Sequence, residues 1–315
     1  MSTPEPEARH AGGTAPRRVA VTGSTGLIGS ALVGALRADG HHVLRLVRTR
    51  PTSAADEVYW NPSLGEADSA ALEGVDAVVH LAGENLAQPP WTEERKRRIR
   101  DSRVQGTSLI ARTIAGLDRK PRVLASASAV GYYGDRGDEV LNERSAPGRG
   151  FLAEVCREWE ASADPARAAG IRVVHPRFGV VLSGRGGALE KMLAPFRMGL
   201  GGKLGSGRQW MSWVALHDAV GALRFAIHED AISGPANVTS PLPVTNEEYT
   251  RILGRVLGRP TLLSVPRFAL KLTLGQLADE ALLASQRVVP EKLREAGFNF
   301  QYPDLEGALR VALGR

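Results

Sequence analysis

The chain is poor in cysteine, in aromatic residues and in long apolar stretches, and each scarcity excludes something. One cysteine in 315 residues, Cys156, rules out an internal disulfide and points to a reducing compartment. It sits among residues with helical spacing, Phe151–Ala163, and reads as a buried spacer rather than a nucleophile. No apolar run approaches the ~20 residues that a membrane helix needs, so no membrane partner is expected. Residues 1–16 are rich in proline, glycine and charge and lack the apolar core of a signal peptide. They are expected to form a disordered tail, and the cytoplasm follows as the expected location. Seven histidines show no metal-ligand spacing, and one cysteine cannot complete a set, so no metal is expected. A Gly-x-Ser-x-Gly nucleophile turn is absent as well.

Net charge is +6, which raises the question of nucleic acid. The densest basic run, Arg95 to Arg100, has no aromatic residues interleaved with it and lies in an expected helix opening at Thr92. A solvated helix face accounts for it, with attraction of anionic ligands second. No nucleic-acid partner is expected.

What the chain does have is a strand, a glycine turn and a helix in Arg18–Arg48. Val19–Thr22 is a short β-branched run, and Leu27–Leu36 carries apolar residues at helical spacing. Between them stand Gly23, Ser24, Thr25, Gly26, Leu27, Ile28 and Gly29. Gly23 permits the tight turn, Gly26 lets a pyrophosphate approach the helix N-terminus, and Gly29 lets the helix pack closely. An ordinary strand-to-helix turn is the competing reading, but both flanks favour a dinucleotide site. An NAD site usually places a carboxylate about 20 residues further on. Here no acidic residue occurs between Asp39 and Asp56, and the strand Val43–Val47 runs into Arg48. A guanidinium suits a 2′-phosphate, so NADP is expected ahead of NAD unless Arg48 and Arg50 are only solvated loop charges.

Strands and helices then alternate. Ala77–Leu81 and Arg122–Ala127 read as strands, Thr92–Leu117 and Gly150–Ala169 as helices, and Ile171–His175 as another strand. That rhythm implies an α/β fold with a doubly wound, Rossmann-like parallel sheet over residues 17–180. Ligands in such sheets lie at the strand carboxyl ends, which gathers Leu81, Ala82, Gly83, Ser126, Pro176 and Arg177 around the glycine turn. The rhythm breaks in 181–315, read as a smaller α/β domain on the substrate side, with 213–240 as candidates to return to the main sheet. Ala188–Met198, Leu216–His228 and Thr245–Leu257 read as helices, Ala236–Thr239 as a strand, and Arg259–Pro266 as a hinge.

TGSTGLIGSAL, VVHLAGENLA, SASAVGYYG and HPRFGVVLS together resemble an extended short-chain dehydrogenase/reductase. SRVQGT, GSGRQWMSWVALHDAV, NVTSPLPVTN and the terminal SQRVVPEKLREAGFNFQYPDLEGAL are similar to its branch of epimerase-family proteins with a C-terminal domain of unknown function, sometimes labelled cell-division inhibitors. The resemblance runs from Arg18 to the end. It implies a nicotinamide cofactor, a sugar nucleotide as the default substrate class, and homodimer pairing through Thr92–Leu117 and Gly150–Ala169. It also implies a Tyr–Lys pair with a Ser or Thr that orients the substrate oxygen.

That pair is missing. Four residues beyond the five tyrosines stand Ser63, Arg136, Gly137, Leu253 and Glu306, and no lysine occurs between Lys120 and Lys191. Two readings follow. In one, chemistry persists on Ser128, with Tyr132 or Tyr133 as proton donor and Glu154 as carboxylate base. The competing roles are a turn cap for Ser128, packing under the turn for Tyr133 and a solvated charge for Glu154. In the other, the chain binds NADPH without turnover, as a sensor or interaction protein. Asn85, Trp91, Arg177, Arg208, Gln209 and Trp210 favour the first, since they suit an anionic, ring-bearing small molecule; core packing is the alternative for Trp210 and Trp213. His217-Asp218 reads as a structural helix start.

Overall fold

The computed structural model describes residues 17–51, 56–87 and 89–315; the expected tail, residues 1–16, lies outside them. Eight strands carry the main sheet: β1 (Arg18–Thr22), β2 (His42–Val47), β3 (Glu57–Asn61), β4 (Glu66–Ala67), β5 (Ala77–His80), β6 (Val123–Ser126), β7 (Arg172–Phe178) and β8 (Gly234–Val238). Their spatial order is β8-β7-β6-β5-β1-β2-β3-β4, with Ser128–Ala129 joining as a short ninth strand against β7. All neighbours are parallel except β3 and β4.

Alternation along the strands builds two cores. Val19, Val21, Val43, Val79, Val123 and Val174 pack on one face with Leu32 and Leu36 of helix α1 (Leu27–Ala38). Ala20, Leu44, Val78, Leu124 and Val173 face the other way, onto Ile110 and Ile114 of helix α2 (Glu93–Ala115). With both faces buried, the strands read as near-continuous apolar runs. α2 opens where Thr92 Oγ1 accepts the Arg95 amide at 3.1 Å, with Glu93 and Glu94 in the first turn.

Three elements depart from the sequence pattern. The helix expected over Gly150–Ala169 splits into α3 (Phe151–Ala161) and a short turn of helix, Asp164–Ala168. Pro165 explains the break, because its ring cannot continue the helix from Ala161. The strand expected over Ile171–His175 runs on to Phe178, through a proline. β6 pairs with Arg172–Val174 and Ser128–Ala129 pairs with Arg177–Phe178, so Pro176 falls in the gap between them. The hinge expected over Arg259–Pro266 holds a short strand, Leu263–Val265, parallel to Gly202–Leu204. That approach requires Gly202, where a Cβ would lie 2.2 Å from the Leu263 carbonyl oxygen.

The second half of the chain is tied back to the first. Helix α4 (Gly187–Arg197) lies beside the crevice mouth, and helix α5 (Leu216–His228) packs on α1. Buried Asp218 accepts the amides of Gln301 and Tyr302 at 2.8 and 3.0 Å, anchoring the terminal segment to α5. Glu280 caps α3 from far along the chain, accepting the amides of Phe151 and Leu152 at 3.1 and 2.7 Å.

Burial also makes the sheet sensitive to acid. His80 and His175 are enclosed, and burial lowers the pKa of each from 6.5 to about 4. Below pH ~6.5 the unfolded chain binds protons that the native chain refuses. Stability is therefore full above that pH, falls as pH drops to about 4, and levels off below. The loss should reach about 3 kcal/mol per histidine. Urea midpoints across this range should show the fall, and His80→Gln should remove about half of it; a constant midpoint in the wild type would contradict the assignment.

Candidate functional site

The crevice is built where the chain leaves β1 for β2 on one side and β5 lies on the other. Gly23 has φ +66°, and a Cβ there would sit 2.8 Å from the carbonyl carbon of Leu81. Gly29 presses still closer: its Cβ would lie 2.1 Å from the Gly23 carbonyl oxygen. The third glycine thus packs the helix against the turn itself. Gly26 precedes α1 in extended conformation and has no side chain to cap the helix, and the first turn carries no acidic residue. The positive end of the helix is left facing the crevice.

Thr22 braces this junction. Its hydroxyl oxygen accepts the amides of Leu81 and Ala82 at 3.0 and 3.2 Å, so its proton points to His80 Nδ1, 2.8 Å away. The His80 proton then sits on Nε2, which has no partner among the described residues.

Two adjoining cavities share Gly23, Gly26 and Leu81. The outer one, about 460 Å³, is lined by Ser24, Thr25, Ala82 and Gly83 and ends at Arg48. Arg48 is exposed and makes no ion pair among the described residues, whereas Arg50 pairs with Glu66 at 3.1 Å and stacks on Tyr59. The inner cavity, about 360 Å³, is lined by Leu27, Ile28, Gly29, Ser128, Trp159 and Arg103 among others.

Ser128 is held by charge. Its hydroxyl donates to Glu160 Oε1 at 2.7 Å, and Arg177 clamps the same carboxylate through Nε at 2.7 Å and Nη2 at 2.8 Å. Arg177 also donates to the Tyr133 hydroxyl, which donates to Asn237 Oδ1 at 2.7 Å. Burial opposes the Arg177 charge, but the Glu160 hydrogen bonds and charge outweigh it and hold the pKa above the ordinary value. Burial pushes the Tyr133 phenol up to about 12.

These contacts relocate several expected site residues. Tyr133 is fully buried, and its hydroxyl is spent on Arg177 and Asn237 rather than offered to the crevice. Tyr132 lies under the Arg177 guanidinium, 3.4 Å from ring centroid to Cζ, and does not line either cavity. Glu154 is on the exposed face of α3. The carboxylate that reaches Ser128 is Glu160, which shares the inward face with Ala153 and Cys156; helical spacing from Cys156 was the signal for it. Arg177 and Pro176 are buried behind the crevice, and the Ser126 hydroxyl is enclosed without a partner among the described residues. Cys156 is a buried spacer, its thiol pushed up to about 11 by burial.

The expected substrate residues also lie elsewhere. Asn85 is exposed and its Oδ1 accepts the Ala87 amide at 2.9 Å. Trp91 is buried against Phe151 and donates to the Leu86 carbonyl. Trp210 donates to Asp138 and carries Arg287 over its ring; Arg208 is exposed, and Trp213 is core. Gln209 donates to the carbonyls of Leu204 and Leu282. None of them lines the two cavities.

Residues 19–238 match the family described as NAD dependent epimerase/dehydratase. The chain belongs to that family. Residues 265–312 match a domain of unknown function. The chain is 49% identical over 297 residues to an epimerase family protein of Mycobacterium bovis, covering 94% of this chain and 98% of that one. It is similar to the crystal structure of the human epimerase family protein SDR39U1 with NADPH, at 32% identity and TM-score 0.86, over 95% of this chain and 99% of that one. A nucleoside-diphosphate sugar epimerase from Corynebacterium glutamicum aligns at 40% identity and TM-score 0.80, over 96% of this chain and 59% of that one. The likenesses place the chain on the extended short-chain dehydrogenase branch.

Breaking the buried pair should be costly. Glu160→Gln leaves the Arg177 charge without its carboxylate and should cost about 3–5 kcal/mol, read as a lower urea midpoint. Adding Arg177→Met should recover much of that loss. Glu154→Ala should change stability by less than ~0.5 kcal/mol.

Proposed function

We propose that the protein binds NADPH across the two cavities and acts as an oxidoreductase or epimerase on an anionic small molecule, with nucleoside-diphosphate sugars as the leading class. The observation that carries this reading is the uncapped start of α1 behind Gly23, Gly26 and Gly29, with Arg48 at the far end of the outer cavity. The amides of the glycine turn suit the pyrophosphate, and the Arg48 guanidinium suits the 2′-phosphate. The NADPH-bound human relative and the family of the chain support the same cofactor.

When bound, the nicotinamide supplies hydride transfer. The chain supplies a proton path that does not use the family's Tyr–Lys pair. The Ser128 proton is committed to Glu160, so the hydroxyl oxygen is free to accept a hydrogen bond from a substrate hydroxyl. A proton leaving that hydroxyl passes to Ser128 as Ser128 passes its own to Glu160, and Arg177 holds the carboxylate in place. A second reading, a silent NADPH sensor, draws on the enclosure of Tyr133, which leaves Ser128 as the hydroxyl lining the inner cavity.

Calorimetric titration decides the cofactor. Wild type should prefer NADPH to NADH, and Arg48→Ala should weaken NADPH at least tenfold while leaving NADH within about twofold. Equal affinities for the two nucleotides, unchanged in the variant, would remove Arg48 from the site.

A further inference from the structure

Arg103 is 9% exposed and lines the inner cavity. It projects from the inward stripe of α2, one turn beyond Ile99 and two beyond Arg95. The two buried arginines of α2 are treated differently. Arg95 is neutralised by Glu84 at 2.5 Å. Arg103 makes no ion pair among the described residues; its Nη1 donates only to the carbonyls of Glu84 and Ile99, both at 3.1 Å, and its guanidinium lies 5.0 Å over the Trp159 ring.

Its surroundings do not cancel the charge. Burial lowers the Arg103 pKa, with Cys156 and Glu84 opposing, yet a guanidinium stays protonated at any physiological pH. The Cys156 thiol is neutral at pH 7 because burial raises its pKa to about 11. The Glu84 carboxylate is engaged with Arg95. A buried cation with two carbonyls and a ring face but no carboxylate is costly unless something else completes it. Gly83, which lines the outer cavity, passes close beside it, where a Cβ would sit 3.4 Å from Cζ.

We propose that Arg103 is the oxyanion receptor of the inner cavity, taking a carboxylate or phosphate oxygen of the bound ligand. The proposal rests on the crevice being the ligand site and deepens it, since it assigns the anion-binding group that the expected substrate residues do not provide. The planar fork of Arg103 suits two oxygens of one group, and the low-dielectric wall of Trp159 strengthens the attraction. The oxyanion has two sources, a carboxylate or phosphate of the substrate or the pyrophosphate of the cofactor.

The test uses the full chain with R103Q and R103K, oxalate as a carboxylate probe, and NADPH and NADH. Oxalate is titrated calorimetrically into each protein saturated with NADP+, and into the nucleotide-free proteins. Wild type should bind oxalate, R103K at least threefold more weakly, and R103Q at least tenfold more weakly, with NADPH and NADH affinities within threefold throughout. If instead R103Q weakens NADPH and NADH alike by tenfold, the oxyanion is the pyrophosphate and the receptor role stands. Should R103Q lose its cooperative melt, R103K is read alone, because its ammonium can still serve a backbone carbonyl. Unchanged affinity for oxalate and both nucleotides in the folded variants overturns the proposal and leaves Arg103 a tether for Glu84 and Ile99. If wild type binds neither nucleotide, the cofactor reading fails, and oxalate on the nucleotide-free proteins still decides Arg103.

Discussion

The contact on which the rest of the molecule depends is backbone against backbone: Gly29 on the carbonyl of Gly23, and Gly23 on the end of β5. A side chain at either position would drive α1 away from the sheet. Because neither has one, the positive end of α1 is set at the point where strand order reverses, and Thr22 locks β1 to the Leu81 and Ala82 amides beneath it. Both cavities open from this junction, so the proposed ligand site is a consequence of how tightly the turn closes.

Behind the crevice, a second constraint sets the chemistry. Glu160, Arg177, Tyr133 and Asn237 form a connected polar chain through the core, linking α3, β7, the turn after β6, and β8. Its members satisfy one another, as buried polar groups must. Ser128 is the point at which that chain reaches the cavity. Residues resembling a catalytic set by type, such as Tyr133 and Arg177, are thereby committed to structure. The crevice is left with an unusually simple inner wall: apolar residues, Ser128, Trp159 and the Arg103 charge.

The sequence made the sheet legible because both of its faces are buried and each strand is an apolar run of ordinary length. It made the glycine turn legible because spacing and flanks are set by one local geometry. Arg48 was singled out through an absence, the missing carboxylate after β2, and it lies at the end of the outer cavity. The inner cavity was not visible in the same way. Which face of α3 turns inward depends on its packing against α2 and the turn after β6, so Glu154 was favoured on position while Glu160 faces inward. Arg103 was hidden inside a helix whose basic residues read as solvated, although its spacing from Ile99 places it on the buried stripe. Trp91 and Trp210 sit near crevice motifs in sequence, but their indole N–H groups are used to fasten loops.

A crystal structure of the protein with NADPH tests the central claim most directly. The account predicts the pyrophosphate against the amides that open α1 and the 2′-phosphate beside Arg48, with the nicotinamide half in the inner cavity next to Ser128. Cofactor found instead in the separate cavity of about 630 Å³ between α1 and α5, where Arg185, Arg197 and Arg224 gather, would contradict it.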